Sequence, residues 1–172
     1  MSYPLFIPPE PLVSIPRRSW TKRQADAYFE WLLGVQDSRI ACLLDHLSFL
    51  GVPEPQDLLA LGESITERLR NQIADPQTLD LTNEGLALAA DLGLLTARIV
   101  LAHNPGVRWL VVRGPKTYVH YNLPVLDGFR DSLHLEPVGG SIGNARGVVK
   151  GTLRPNCWHV TYVYWSERAV PP

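Results

Sequence analysis

The chain has 172 residues, 45% of them hydrophobic, which suffices for one domain with its own core and no disulfide or metal staple. Sixteen basic residues against seventeen acidic ones leave a formal charge of −1, so the electrostatic grip of a nucleic-acid or anionic-membrane binder is not expected. Two cysteines, Cys42 and Cys157, cannot form a disulfide framework, and neither has a Cys or His at zinc-site spacing. The opening "MSYPLFIPPEPLVSIPRR" lacks the basic-then-apolar pattern of a signal peptide, and no apolar run reaches spanning length without a charge or a breaker. A cytoplasmic protein is expected.

Residues 1–19 carry five prolines among apolar residues, an extended lead-in packed over the body. "TKRQ" is a capping box at Thr21, and Tyr28, Trp31 and Leu32 follow at helical spacing. Gly34 loosens that pattern. A second helix, or a kinked continuation, is expected from Asp37 as N-cap through Ile40, Leu43, Leu44 and Leu47, with Gly51 as its stop. A third, surface helix carries Leu58, Leu61, Ile65, Leu69 and Ile73 on one face and ends before Pro76.

Thr82 caps a fourth helix that is apolar on most of its circumference and rich in Ala and Gly, hence central. After "HNPG", the segment "VRWLVVRGPKTYVHYNLPVL" turns β-branched and aromatic around "GPK" and reads as a hairpin. "LEPVGGSIGNARGVVKGT" fits a loop, a short helix or both. "CWHVTYVYWSERAV" suits strand or helix, and the alignment of Trp158, Tyr162 and Trp165 favours helix. The resulting expectation is a mainly helical α+β fold over residues 1–172: a single domain of about four main helices with a β-hairpin.

Each candidate for chemistry has a plainer alternative. Asp91 is a lone carboxylate in the apolar fourth helix; it shares a face with Arg98, with Arg108 and Arg113 in the hairpin, and a buried structural pair of Asp91 with Arg98 is the expectation over catalysis. "GGSIG" satisfies G-x-S-x-G with Ser141 in the serine position, but no buried strand precedes it and no acid lies between Ser141 and His159. A glycine turn is expected instead. Cys157 and His159 sit too close in sequence for an ordinary dyad, so both cysteines read as packed small hydrophobes. His46, His103, His120 and His134 are scattered without metal-ligand spacing, so no metal and no cofactor are expected. Trp109, Tyr118, His120 and Tyr121 with Arg113 and Lys116 resemble a stacking platform for single-stranded nucleic acid, but such residues usually support a sheet.

Three stretches, "SWTKRQADAYFEWLLGVQDSRIACLLDHL", "LALAADLGLLTARIVLAHNPGVRW" and "NLPVLDGF", resemble a group of uncharacterised bacterial proteins, some of them suspected immunity proteins of polymorphic-toxin systems. The resemblance covers about two-thirds of the chain; residues 130–172 depart from it. It implies a cytoplasmic protein that neutralises a cognate toxin by protein–protein contact and prescribes no catalytic residue. Exposed acids Glu63 and Glu67, with Tyr118 and His120 of the hairpin, are the candidate partner-binding residues. The alternatives are a small-molecule hydrolase using Ser141 or Asp91 and a scaffold subunit.

Overall fold

The computed structural model describes residues 2–12 and 14–172; Met1 and Val13, both in the proline-rich lead-in, lie outside the described residues. The architecture is mainly helical α+β. Five α-helices, α1 (Lys22–His46), α2 (Asp57–Arg70), α3 (Asn83–His103), α4 (Pro137–Val149) and α5 (Cys157–Ser166), are joined by two antiparallel strand pairs, β1 (Ile73–Asp75) with β2 (Asp80–Leu81) and β3 (Arg108–Val111) with β4 (Pro124–Asp127).

α1 begins as the capping box requires: the Thr21 hydroxyl accepts from the Gln24 amide at 3.2 Å, and the Gln24 side chain accepts from the Thr21 amide at 2.8 Å. Gly34 does not divide it. The helix runs through Gly34 and Asp37 to His46, so the expected first and second helices are one element and Asp37 is an exposed mid-helix acid, not a cap. Its end also precedes Gly51. Ser48 takes the left-handed conformation at φ 54°, with its N–H on Asp45 O (2.9 Å) and the Phe49 N–H on Leu44 O (2.8 Å), a Schellman closure.

α2 stops at Arg70, and Ile73, expected on that helix, enters the β1–β2 ribbon instead. Thr82 then caps α3 through the Gly85 amide at 3.1 Å. Fourteen of α3's residues are buried, from Gly85 to Val100, because α1, α2, α4, α5 and β2 all pack on it. Its length and composition would suit a membrane span, and the neighbours that enclose it account for that apolarity.

The hairpin pairs Arg108 with Asp127 through to Val111 with Pro124, so its second strand is "PVLD" and not the "TYVHY" after "GPK". Residues 113–121 form a turn-rich excursion closed at its base by the fully buried Asn122, whose amide donates to Trp20 O at 2.7 Å and whose carbonyl accepts from Arg113 at 2.8 Å. "GGSIG" is neither a turn nor an elbow. Glu136 and Pro137 open α4 as N-cap and first residue, the Glu136 carboxylate accepting from the Gly139 amide at 2.7 Å, and the serine falls inside the helix. The last segment is helical, as the aromatic spacing suggested. Beyond α5 the chain returns to the hairpin, the Val170 amide donating to Gly128 O at 2.8 Å.

Candidate functional site

Asp91 is fully buried in the middle of α3, yet its partner is Arg39 of α1, not Arg98. Arg39 donates through Nε at 2.9 Å and Nη2 at 2.6 Å, and the Tyr3 hydroxyl supplies a third bond at 2.5 Å. Burial pushes the Asp91 carboxyl above the ordinary carboxylate range, while Arg39 and Tyr3 pull the other way. Two more guanidinium hydrogens go to the carbonyls of Leu5 (3.1 Å) and Pro4 (3.0 Å), so this group clasps the lead-in to the helical body. Arg98, two turns further along the same face of α3, meets the exposed Asp37 of α1 at 2.5 Å. The reason is geometric: a buried carboxylate needs several donors at once, and only a residue on the facing helix delivers a forked pair to it.

Ser141 points from α4 into α3. Its hydroxyl donates to Ala89 O at 2.5 Å and accepts from the Trp158 indole N–H at 2.7 Å, which ties three helices together through one oxygen. Gly93 makes this possible, since a Cβ there would collide with the Pro137 carbonyl and Ser141. A hydroxyl so engaged is a packing element, and the strand–turn–helix setting that exposes a nucleophilic serine is absent around it.

Between α3, α4 and α5 lies a cavity of about 270 Å³. Trp158 and Trp165 of α5, Thr96 of α3, Gly140 and Asn144 of α4, and the two imidazoles His120 and His134 belong to its lining. Tyr118, outside the lining, bonds His134 Nδ1 at 3.0 Å and meets the His120 ring edge to face at 5.4 Å, so it backs the two imidazoles that wall the cavity. Burial and the neighbouring His134 hold His120 below the ordinary imidazole value. Glu136 also lines the cavity; burial pushes its carboxyl up, against the pull of Arg17 and of its bonds to the amides that open α4. Among the described residues no cluster of three His, Cys, Asp or Glu side chains suits a metal ion.

The opposite face of α5 is different. A short, largely apolar helix is normally enclosed, but only Cys157 and Trp158 of α5 are buried. Val160, Val163 and Tyr164 are 54%, 36% and 42% exposed and share one stripe by their spacing. Arg168 lies over the Tyr164 ring at 3.6 Å and donates to the Tyr164 carbonyl at 3.0 Å, which fixes that ring in one pose. α2 is the neighbouring helix, Gly62 packing on Pro155 and Trp158, and it carries the exposed Glu63 and Glu67 one turn apart.

The four sequence-derived candidates therefore divide. Tyr118 packs against His120, which alone of the four lines the cavity, while Glu63 and Glu67 lie on the solvent face of α2. The aromatic alignment of Trp158, Tyr162 and Trp165 marks only the inner side of α5. The signal of the exposed stripe was present in the row Val160, Val163, Tyr164 at helical spacing. No protein-family model, curated protein or solved structure matches the chain.

Proposed function

We propose that this chain is a protein-binding factor, and specifically an immunity protein that docks in the cytoplasm on a cognate bacterial toxin and neutralises it by contact. The observation that carries the reading is the uncovered stripe of α5: apolar side chains in a helical row, with a tyrosine pre-set by an arginine. Tyr and Arg anchors of this kind supply most of the energy in tight interfaces, and holding one in place beforehand removes part of the ordering cost. The exposed Glu63 and Glu67 of α2 are acidic groups that suit a toxin with a basic surface. The resemblance of the N-terminal two-thirds supplies the partner class.

The test is co-expression with the product of the adjacent larger gene, scoring survival and co-purification for the native chain and for Val163→Glu, Tyr164→Ala and Glu63→Lys/Glu67→Lys. The native chain is expected to rescue growth and to co-purify. Val163→Glu and Tyr164→Ala are expected to weaken the complex by about tenfold to a hundredfold, and the charge reversals to slow association, more so at low salt. Rescue by all variants at native affinity would refute this placement of the interface, and no rescue by the native chain would refute the immunity reading for that partner.

A further inference from the structure

The inner cavity is independent of the α5 stripe, and three features suggest what it takes. The first is its size. An apolar cavity of about 150 Å³ takes up benzene, so a cavity of about 270 Å³ suits roughly two fused rings. Its walls are mostly carbon, with the indoles of Trp158 and Trp165 among them.

The second is a set of uncommitted polar groups. No buried side-chain nitrogen or oxygen lacks a partner among the described residues, so lining groups that make no hydrogen bond there are open to contact. His120 and the Trp165 indole N–H are two such groups. Asn144 spends an amide hydrogen on Thr161 Oγ1 at 3.2 Å and keeps its carbonyl oxygen. In its neutral form the His120 imidazole offers one donor and one acceptor, and burial and His134 favour that form. No lysine or arginine lines the cavity, and the acid that does, Glu136, already caps α4. An anion would meet a carboxylate and no counter-charge. An uncharged ring with a donor or acceptor on its edge meets partners for both.

The third is Gly140. A glycine inside a helix costs about 1 kcal/mol relative to alanine, and such positions usually hold glycine because a Cβ would collide. That is so at Gly139, where it would strike the Glu136 cap, and at Gly147, where it would strike Leu153. At Gly140 a Cβ meets nothing within 4 Å, and Gly140 lines the cavity. Gly140 is also exposed, so it stands where the lining meets solvent. Gly143 is equally free and is not part of the lining; nothing in the structure explains it.

We propose that the cavity between α3, α4 and α5 is a binding site for an uncharged, planar heteroaromatic or phenolic molecule of about two rings, admitted past Gly140 and met by His120, Asn144 and Trp165. The experiment is calorimetric titration and saturation-transfer NMR of the full chain with indole and 2-naphthol, and with the anion 2-naphthoate as a size-matched comparison. Saturable binding of both neutral rings is expected, with 2-naphthoate at least about tenfold weaker. Gly140→Leu is expected to cut affinity by at least about tenfold while the unfolding midpoint holds or rises, because leucine favours the helix. His120→Phe keeps the ring volume and is expected to weaken 2-naphthol severalfold. Failure of both neutral rings to titrate, equal binding of 2-naphthoate, or affinity unchanged by either substitution would overturn the proposal.

Discussion

Tyr3, Arg39 and Asp91 come from the lead-in, α1 and α3, and the buried Asp91 carboxylate takes its three hydrogen bonds from the other two. Replacing Arg39 by Met would leave the Asp91 carboxylate buried with one remaining donor, and such orphaned charges cost about 3–5 kcal/mol. Tyr3→Phe removes one of three donors and should cost nearer 1–2 kcal/mol. Arg98→Met, which breaks only the exposed pair with Asp37, should cost under about 1 kcal/mol. Urea unfolding of the three variants gives the ranking, and equal effects of Arg39→Met and Arg98→Met would contradict the clasp. Cysteine chemistry offers a second check at this scale. Burial pushes the Cys157 thiol up to about 11 at the start of α5, whereas Cys42 is half-buried on α1. Mapping of sites labelled by a thiol reagent in the native protein should find Cys42 modified well before Cys157, with equal rates only after unfolding.

At the scale of elements, capping was the most legible feature, because a cap is local: Thr21 with Gln24, and Thr82 ahead of α3, need nothing beyond their own turn. The central place of α3 was legible for a related reason, since residues apolar on every side require neighbours on every side. Glycine misled in both directions. Gly34 read as a break and lies mid-helix, and "GGSIG" read as a turn and is α4. A Cβ at Gly34 would meet nothing, so that glycine is tolerated mid-helix without being required, while Glu136 and Pro137, as cap and first residue, start a helix through "GGSIG" that its glycines alone do not announce. The partner of Asp91 was illegible because Arg98 is close along the chain while Arg39 is close across the α1–α3 interface. Gly34 yields a prediction. A Cβ there meets nothing within 4 Å, so Gly34→Ala should raise stability by up to about 1 kcal/mol through helix propensity alone. A loss of stability in denaturant titration would mean that α1 bends there in solution.

Across the whole molecule, the helices and the hairpin close on α3, and the titratable groups trapped between them make the fold's stability depend on pH. His120, in the excursion of the hairpin, and His46, at the end of α1, are both held below the ordinary value of 6.5: His120 by burial and His134, His46 by burial and Arg68. The unfolded chain takes up protons at these sites near 6.5, and the folded chain does so only at lower pH. Their contribution is therefore complete above about pH 6.5 and is lost as pH falls through the folded values. Asp91 and Glu136 oppose this at more acid pH, because a carboxyl raised by burial gains its proton earlier in the folded state than in the unfolded one. The native curve sums the two trends, so the histidine part has to be isolated by difference. Thermal midpoints of the native chain and of His46→Asn/His120→Asn, taken at about pH 7.5 and about pH 5, make that separation. The native chain's midpoint, measured relative to the variant's, should be higher at the upper pH and fall at the lower. A difference that stays the same at both would mean that the two imidazoles titrate as freely in the folded protein as in the unfolded chain, and that the cavity wall around His120 admits water in the absence of a ligand.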